Sequence, residues 1–148
     1  TKKAMLSMEG KYLVFALGEQ EFGIDISKIR EIIGRLPIRS MPQAPPFVKG
    51  VINLRDKVIP IMDLRLRFGM EEVETTERSC IIVLENINKG AVTNVGVAVD
   101  SVTEVMEIKT SEIADTPFFG AGIDTTYILA MAKTESGVKI LLDMDRLL

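Results

Sequence analysis

Short apolar runs separated by turn residues dominate the pattern of hydrophobic and polar positions along this chain. Positions 12–17 are almost entirely apolar, and after a turn at 18–20 apolar residues alternate with small or polar ones from Phe22 to Ile26. A period of two places alternate side chains on the same face of a strand. The opening segment therefore predicts a β-hairpin with one half-buried strand.

The period changes after this hairpin. Ile26, Ile29 and Ile33 fall at helical spacing with charged residues between them. This spacing predicts a short amphipathic helix of at most two turns. Four prolines between positions 35 and 49 then exclude a regular helix and predict an extended connection.

The clearest hairpin follows, with strands at 51–55 and 58–62 and a turn at Asp56 and Lys57. Alternation puts Asn53 and Arg55 on the face opposite the core side chains. Because Pro60 has no N–H to donate, we expect an edge or a bulge there. Arg55 at the end of such a strand is typical of residues that protein interfaces favour.

The second half shows the same pattern of short apolar runs separated by turn residues. It predicts a terminal helix from Asp143 and strands at 80–84, 95–99, 102–108, 127–132 and 138–142. Positions 117–122 are expected to form a loop. The simplest count is about ten strands in two groups of five, divided in the acidic loop at 71–78. The predicted fold class is mostly β with a few short helices.

The amino-acid composition excludes several classes of function. The 148 residues include no histidine, one cysteine and a formal charge of −3. Histidine-based catalysis, histidine phosphotransfer and most zinc sites are excluded, and Cys80 has no partner for an internal disulfide. We therefore expect no catalytic residues, no metal and no cofactor. The acidic balance and scarce aromatic residues disfavour nucleic acid as a partner.

Four apolar runs end in aspartate, at Asp25, Asp63, Asp100 and Asp143. Such residues can bind Mg²⁺ or accept a phosphoryl group. They can also cap the helix or turn that follows, by accepting hydrogen bonds from unpaired N–H groups. Three of the four precede segments that look helical, so we favour capping.

Taken in order, several segments resemble the CheW-like family over about residues 11–148. The segments are 13–18, 22–26, 29–32, 47–55, 58–64, 95–102 and 140–143. The resemblance implies two five-stranded SH3-like β-barrels packed side by side around an apolar interface. It gives a tail at 1–10 and one domain at 11–148, with approximate halves 11–78 and 79–148.

The resemblance also implies a function. Family members couple methyl-accepting chemoreceptors to the histidine kinase CheA, binding the receptor's cytoplasmic helical tip and the kinase's regulatory domain. The chain is thus expected in the cytoplasm, at membrane-associated receptor arrays and without membrane insertion. The family positions for partner contact match Ile29, Glu31 and Arg55, and Asn53 beside Arg55 completes the predicted set. Asp56 stands where the family usually has glycine, and Asp tolerates left-handed backbone better than most residues.

Three alternatives remain open. CheW-like domains also occur in CheV and in CheA, so the chain is either a stand-alone adaptor, which we favour, or a domain of one of those proteins. A small-barrel nucleic-acid-binding protein is the second alternative, and salt-dependent RNA binding would support it. A carboxylate-based hydrolase or metal enzyme is the third, and it needs two acidic side chains that converge in a pocket.

Overall fold

The computed structural model describes residues 9–34, 36–88, 90–114 and 125–148. The loop expected at 117–122 lies outside these ranges. The described strands are β1 (Gly10–Leu17), β2 (Gln20–Asp25), β3 (Ile29–Ile33), β4 (Val48–Leu54), β5 (Lys57–Asp63), β6 (Cys80–Asn88), β7 (Ala91–Val99), β8 (Ser101–Ile108), β9 (Ile113–Ala114), β10 (Ile128–Thr134) and β11 (Gly137–Leu142). The α-helices are α1 (Leu64–Arg67) and α2 (Met144–Leu147), and single 3₁₀ turns occupy Ile26–Lys28, Thr110–Glu112 and Thr125–Tyr127.

The chain divides into two compact units. The continuous unit is Lys28–Ser101, and the discontinuous unit combines Thr1–Ser27 with Val102–Leu148. These units do not coincide with the halves 11–78 and 79–148, because β1 and β2 pair with strands from the far part of the sequence. The mostly β class is confirmed, and the described strands form one six-stranded and one five-stranded sheet.

The discontinuous unit is built on the sheet β8-β1-β2-β11-β10-β9. Its β1–β2 hairpin turns at Gly18 and Glu19, one residue shorter than the turn predicted at 18–20, because Gln20 already pairs with Leu17, and Gly18 has a φ of 62°. β2 also pairs in parallel with β11, where Phe22 lies opposite Ile140. Buried side chains from β1, β8, β9, β10 and β11 form a hydrophobic cluster: Tyr12, Ile108, Ile113, Ala130, Ala132 and Leu141.

The continuous unit is built on the sheet β3-β6-β7-β5-β4. Its apolar cluster comprises Ile52, Ile59, Ile61, Ile81 and Val83. A Cβ added to Gly96 would lie 2.5 Å from Cδ1 of Ile61 and 2.8 Å from Cγ2 of Ile81, so glycine at this position lets these two side chains pack over β7.

Pro60 lies in β5 beside two neighbouring strands of this sheet. β5 is an internal strand, and its pairing with β7 begins at Ile61, directly after Pro60. The irregularity in the β4–β5 pairing lies between Val48 and Gly50. No bulge lies at Pro60, but the expected edge is confirmed locally: Pro60 pairs with Val51 of β4 and lies just outside the β5–β7 ladder, so its missing N–H costs no hydrogen bond to β7. The connection before β4 is extended as predicted, and Arg39 exchanges two backbone hydrogen bonds with Val51.

Candidate functional site

Ile29 and Glu31 lie on a strand and not on the predicted helix. The helical turn ends at Lys28, and β3 pairs antiparallel with β6 from Ile29 onward. Positions 29, 31 and 33 are half-buried, whereas 30 and 32 are exposed, which is the period of a strand. The helical spacing was misleading because a charged residue, Glu31, occupies the middle inward position and breaks the apolar alternation.

Arg55 lies in the hairpin turn, one position earlier than the turn predicted at Asp56 and Lys57. Leu54 pairs with Lys57, so Arg55 and Asp56 form a two-residue connection. Their φ angles are 49° and 65°, both in the left-handed region that a type I′ turn requires. Asp56 thus adopts the left-handed backbone that glycine would favour at this position.

A bidentate ion pair between Arg55 and Glu31 connects the turn to β3. Nη1 of Arg55 donates to Oε2 of Glu31 at 2.9 Å, and Nη2 of Arg55 donates to Oε1 of the same carboxylate. The Arg55 side chain remains 68% exposed, and that of Glu31 is 29% exposed. The pair therefore fixes the guanidinium in place while leaving much of it accessible.

Around this pair, residues of β3, β4, β5, β6 and β7 and of the turn form one open depression, which we call the β3–β5 depression. Its apolar lining is Ile29, Leu54, Ile59 and Val83, and its polar lining is Arg30, Glu31, Arg55, Lys57 and Asn94. The structure thus brings Ile29, Glu31 and Arg55 together on one surface. An apolar base with charged groups at its edge is suited to binding another protein.

Asn53 does not belong to this surface. It alternates with Leu54 along β4 and lies in a separate shallow depression with Val51 and Val58. Val58 is 68% exposed there. Three of the four predicted site residues therefore share a surface, and the fourth faces a neighbouring one.

Sequence reasoning missed the other charged residues of the β3–β5 depression. The β3–β6 register shifts between Ile29 and Glu31, so Arg30 is an extra residue in a bulge. Nη1 of Arg30 donates to Oε1 of Glu85 on β6 at 2.7 Å. Lys57 was assigned to the turn, although it is the first residue of β5. Correct placement of the turn would have identified Lys57, since it lies directly opposite Leu54.

A second charged group of the continuous unit surrounds another cavity. Nε of Arg65 donates to Oδ1 of Asp100 at 2.8 Å and Nη2 donates to Oδ2 at 2.5 Å. The hydrogen bond to Asp100 raises the pKa of Arg65 above its usual value. Nζ of Lys49 lies 3.7 Å from Oδ2 of Asp63. Asp63 and Asp100 line the same cavity, and a cation faces each of them.

The four strand-end aspartates largely behave as predicted. The side chain of Asp63 accepts from the N–H of Leu66 at the start of α1, and Asp143 accepts from two N–H groups at the start of α2. Asp25 accepts from the N–H of Ser27 in the 3₁₀ turn. Capping is confirmed for these three, whereas Asp100 pairs with Arg65. Over the described ranges, no three or more acidic, cysteine or histidine side chains cluster as a metal site.

Comparison with known proteins decides the family. Residues 11–148 match the model of the CheW-like domain. The chain belongs to the CheW-like family. The Chemotaxis protein CheW of Klebsiella aerogenes is 36% identical over 138 residues, covering 93% of this chain and 81% of that protein. The Chemotaxis protein CheW of Rhizobium meliloti is also 36% identical, over 141 residues that cover 95% of this chain and 88% of that protein.

A solved CheW structure agrees with this assignment. The crystal structure titled scaffolding protein TtCheW, from Thermoanaerobacter tengcongensis, has a TM-score of 0.83 and 35% sequence identity to this chain. The match covers 95% of this chain and 92% of that one. The β3–β5 depression lies within the CheW-like range. None of the helices in the described segments of this CheW-like chain is long and apolar enough to cross a membrane.

Proposed function

We propose that the protein is an adaptor of bacterial chemotaxis that couples chemoreceptors to the histidine kinase CheA. It binds the cytoplasmic helical tip of the receptor and the regulatory domain of the kinase, and it catalyses no reaction. It works in the cytoplasm, at membrane-associated receptor arrays. The observation that carries this proposal is the β3–β5 depression, which combines half-buried apolar side chains with the Arg55–Glu31 pair, in a chain of the CheW-like family.

The shape and chemistry of the depression favour a helical partner. A helix with an apolar stripe binds best to a groove that has apolar lining and polar groups at the rim. Ile29 and Leu54 supply part of that lining and are only half-buried by their own unit. A partner helix removes their remaining apolar surface from water, which favours association.

Arg55 has donors left for such a partner. A guanidinium carries five N–H donors, and Glu31 accepts from two of its nitrogens. The side chain is held over the depression by the carboxylate of Glu31, so binding need not order it again. Glu31 therefore orients Arg55, and Arg55 makes the contact with the receptor.

The remaining predicted residue belongs to a separate contact. Asn53, with Val51 and the exposed Val58, offers a second partner an apolar and polar surface outside the β3–β5 depression. An adaptor needs two such surfaces, one for each protein it connects. The proposed receptor-binding set is thus Ile29, Glu31 and Arg55.

The test is receptor binding by Arg55→Ala. We expect the affinity for a chemoreceptor cytoplasmic fragment to fall by about 1–3 kcal/mol, as for a central interface residue. Because the ion pair is largely exposed, the melting temperature should change by only a few degrees. Isothermal titration calorimetry on the receptor fragment and pull-down of purified CheA measure the two contacts separately.

Arg146→Ala is the matched control. Arg146 is 64% exposed and pairs with Asp143 at 3.5 Å, so it resembles Arg55 in exposure and pairing but lies in the discontinuous unit. It should leave receptor binding unchanged. Normal receptor binding by folded Arg55→Ala protein, or an equal loss in Arg146→Ala, contradicts the proposed site.

A further inference from the structure

Lys57 carries the one charge at the rim of the β3–β5 depression that the described part of the chain leaves unneutralised. The three cations of this rim are Arg30, Arg55 and Lys57. Glu85 pairs with Arg30, and Glu31 pairs with Arg55. Lys57 pairs with no carboxylate among the described residues. The rim therefore presents a net positive charge to whatever enters the depression.

The backbone fixes where that charge sits. Lys57 pairs with Leu54 across the hairpin, and residues opposite each other in antiparallel strands place their side chains on the same face. Ile59, two positions along β5, shares that face. The methylene chain of Lys57 thus lies along the apolar lining, and its ammonium group extends to the water at the edge.

We propose that Lys57 selects the partner by contacting a carboxylate that flanks the partner's apolar residues. The partner that fits is an amphipathic helix with an Asp or Glu beside the side chains that enter the depression. This inference rests on the proposed function, with the receptor tip as that helix. Arg55 makes the central contact, and Lys57 distinguishes acidic helices from neutral or basic ones.

A charge at the rim of an interface affects mainly the association rate. Charges at the edge of an interface steer the encounter and are screened by salt, whereas buried contacts control dissociation. Loss of the Lys57 charge should therefore lower the association rate and weaken its dependence on salt. The dissociation rate should change little.

The experiment measures binding kinetics of a chemoreceptor cytoplasmic fragment by surface plasmon resonance at low and high salt. Lys57→Met keeps an apolar stem without the charge, and Lys57→Arg keeps the charge. We expect Lys57→Met to reduce the affinity about 3- to 10-fold at low salt, mostly through slower association, and the difference to vanish at high salt. Lys57→Arg should bind within about twofold of the unaltered protein, which shows that charge and not shape is recognised.

Lys133→Met is the control, because Lys133 is an exposed strand residue beside a tight turn in the other unit. A loss that equals the control's, or one that persists at high salt, overturns the role of Lys57. Unchanged kinetics in Lys57→Met, while Arg55→Ala loses binding, overturns this inference alone. Failure of the unaltered protein to bind the fragment overturns the proposed function and this inference together.

Discussion

Two arginines of the continuous unit make the same two-pronged contact with a carboxylate in very different surroundings. Arg55 joins the β4–β5 turn to Glu31 on β3 and is 68% exposed. Arg65 joins α1 to Asp100 after β7 and is only 13% exposed. Arg65 also donates to the backbone oxygen of Glu71 at 3.3 Å, so it holds the chain beyond α1 as well.

The difference shows that the geometry of an ion pair does not reveal its role. Water stabilises the charges of an exposed pair whether or not they meet, so the pair contributes little to folding. A pair shielded from water depends on its partner, because a lone charge there is costly. We therefore expect the Arg65–Asp100 pair to stabilise the fold, whereas the Arg55–Glu31 pair remains largely accessible to water.

The largest effect is expected from breaking the shielded pair. Arg65→Ala leaves Asp100 without its cation beside the cavity, and we expect a loss of about 2–3 kcal/mol in unfolding free energy, since Asp100 keeps some contact with water. Urea denaturation followed by circular dichroism measures this change. If Arg65→Ala is no less stable than Arg55→Ala, the distinction between the two pairs fails.

A third pair extends the comparison to the discontinuous unit. The side chain of Lys139 on β11 is 1% exposed, and its Nζ donates to Oε1 of Glu21 on β2 at 2.6 Å. Lys139→Ala removes both the charge and buried methylene groups, so we expect a loss of about 2 kcal/mol. Lys139→Met keeps most of the apolar volume and should recover at least half of that loss. Equal stabilities of the two variants in urea would show that packing of the stem contributes little.

The smallest expected change in stability comes from the backbone strain at Arg55. Arginine at a φ of 49° is strained, since side chains with a Cβ disfavour left-handed backbone. Both Arg55→Gly and Arg55→Ala remove the guanidinium, but only glycine relieves this strain. Arg55→Gly should therefore be more stable than Arg55→Ala by about 1 kcal/mol, as measured by thermal unfolding.

Receptor binding should nevertheless be lost equally in these two variants. That result would mean that the turn tolerates strain for the sake of the side chain it presents. Restored binding in Arg55→Gly would instead show that the shape of the turn, rather than the guanidinium, is recognised.

The sequence predicted what depends on neighbours along the chain. The hairpin at 12–25 and the strands at 128–134 and 137–142 follow from apolar runs bounded by turn residues, and the capping role of Asp63 follows from its place before a helix. Clustering of Ile29, Glu31 and Arg55 was expected from the family resemblance, and the structure supplies its basis. Arg55 and Glu31 are 24 positions apart, and sheet curvature brings them together.

Features that depend on distant parts of the chain escaped prediction. The parallel pairing of β2 with β11 and of β5 with β7 leaves no local signal in the sequence. β3 was assigned to a helix because Glu31 faces inward, which is favourable only when Arg55 of the β4–β5 turn pairs with it. The lack of a carboxylate partner for Lys57 among the described residues was likewise not predictable, because it depends on the positions of acidic side chains from distant parts of the chain.

The pairing of β2 with β11 has a consequence for the order in which a new chain can fold. Glu21 and Lys139 are 118 positions apart. At about 5–20 residues per second, the ribosome needs on the order of ten seconds to make the segment between them. All five strands of the continuous unit leave the ribosome within that interval, so this unit can fold first. The β1–β2 hairpin, marginal by itself, has to wait for its last neighbour with its apolar face uncovered.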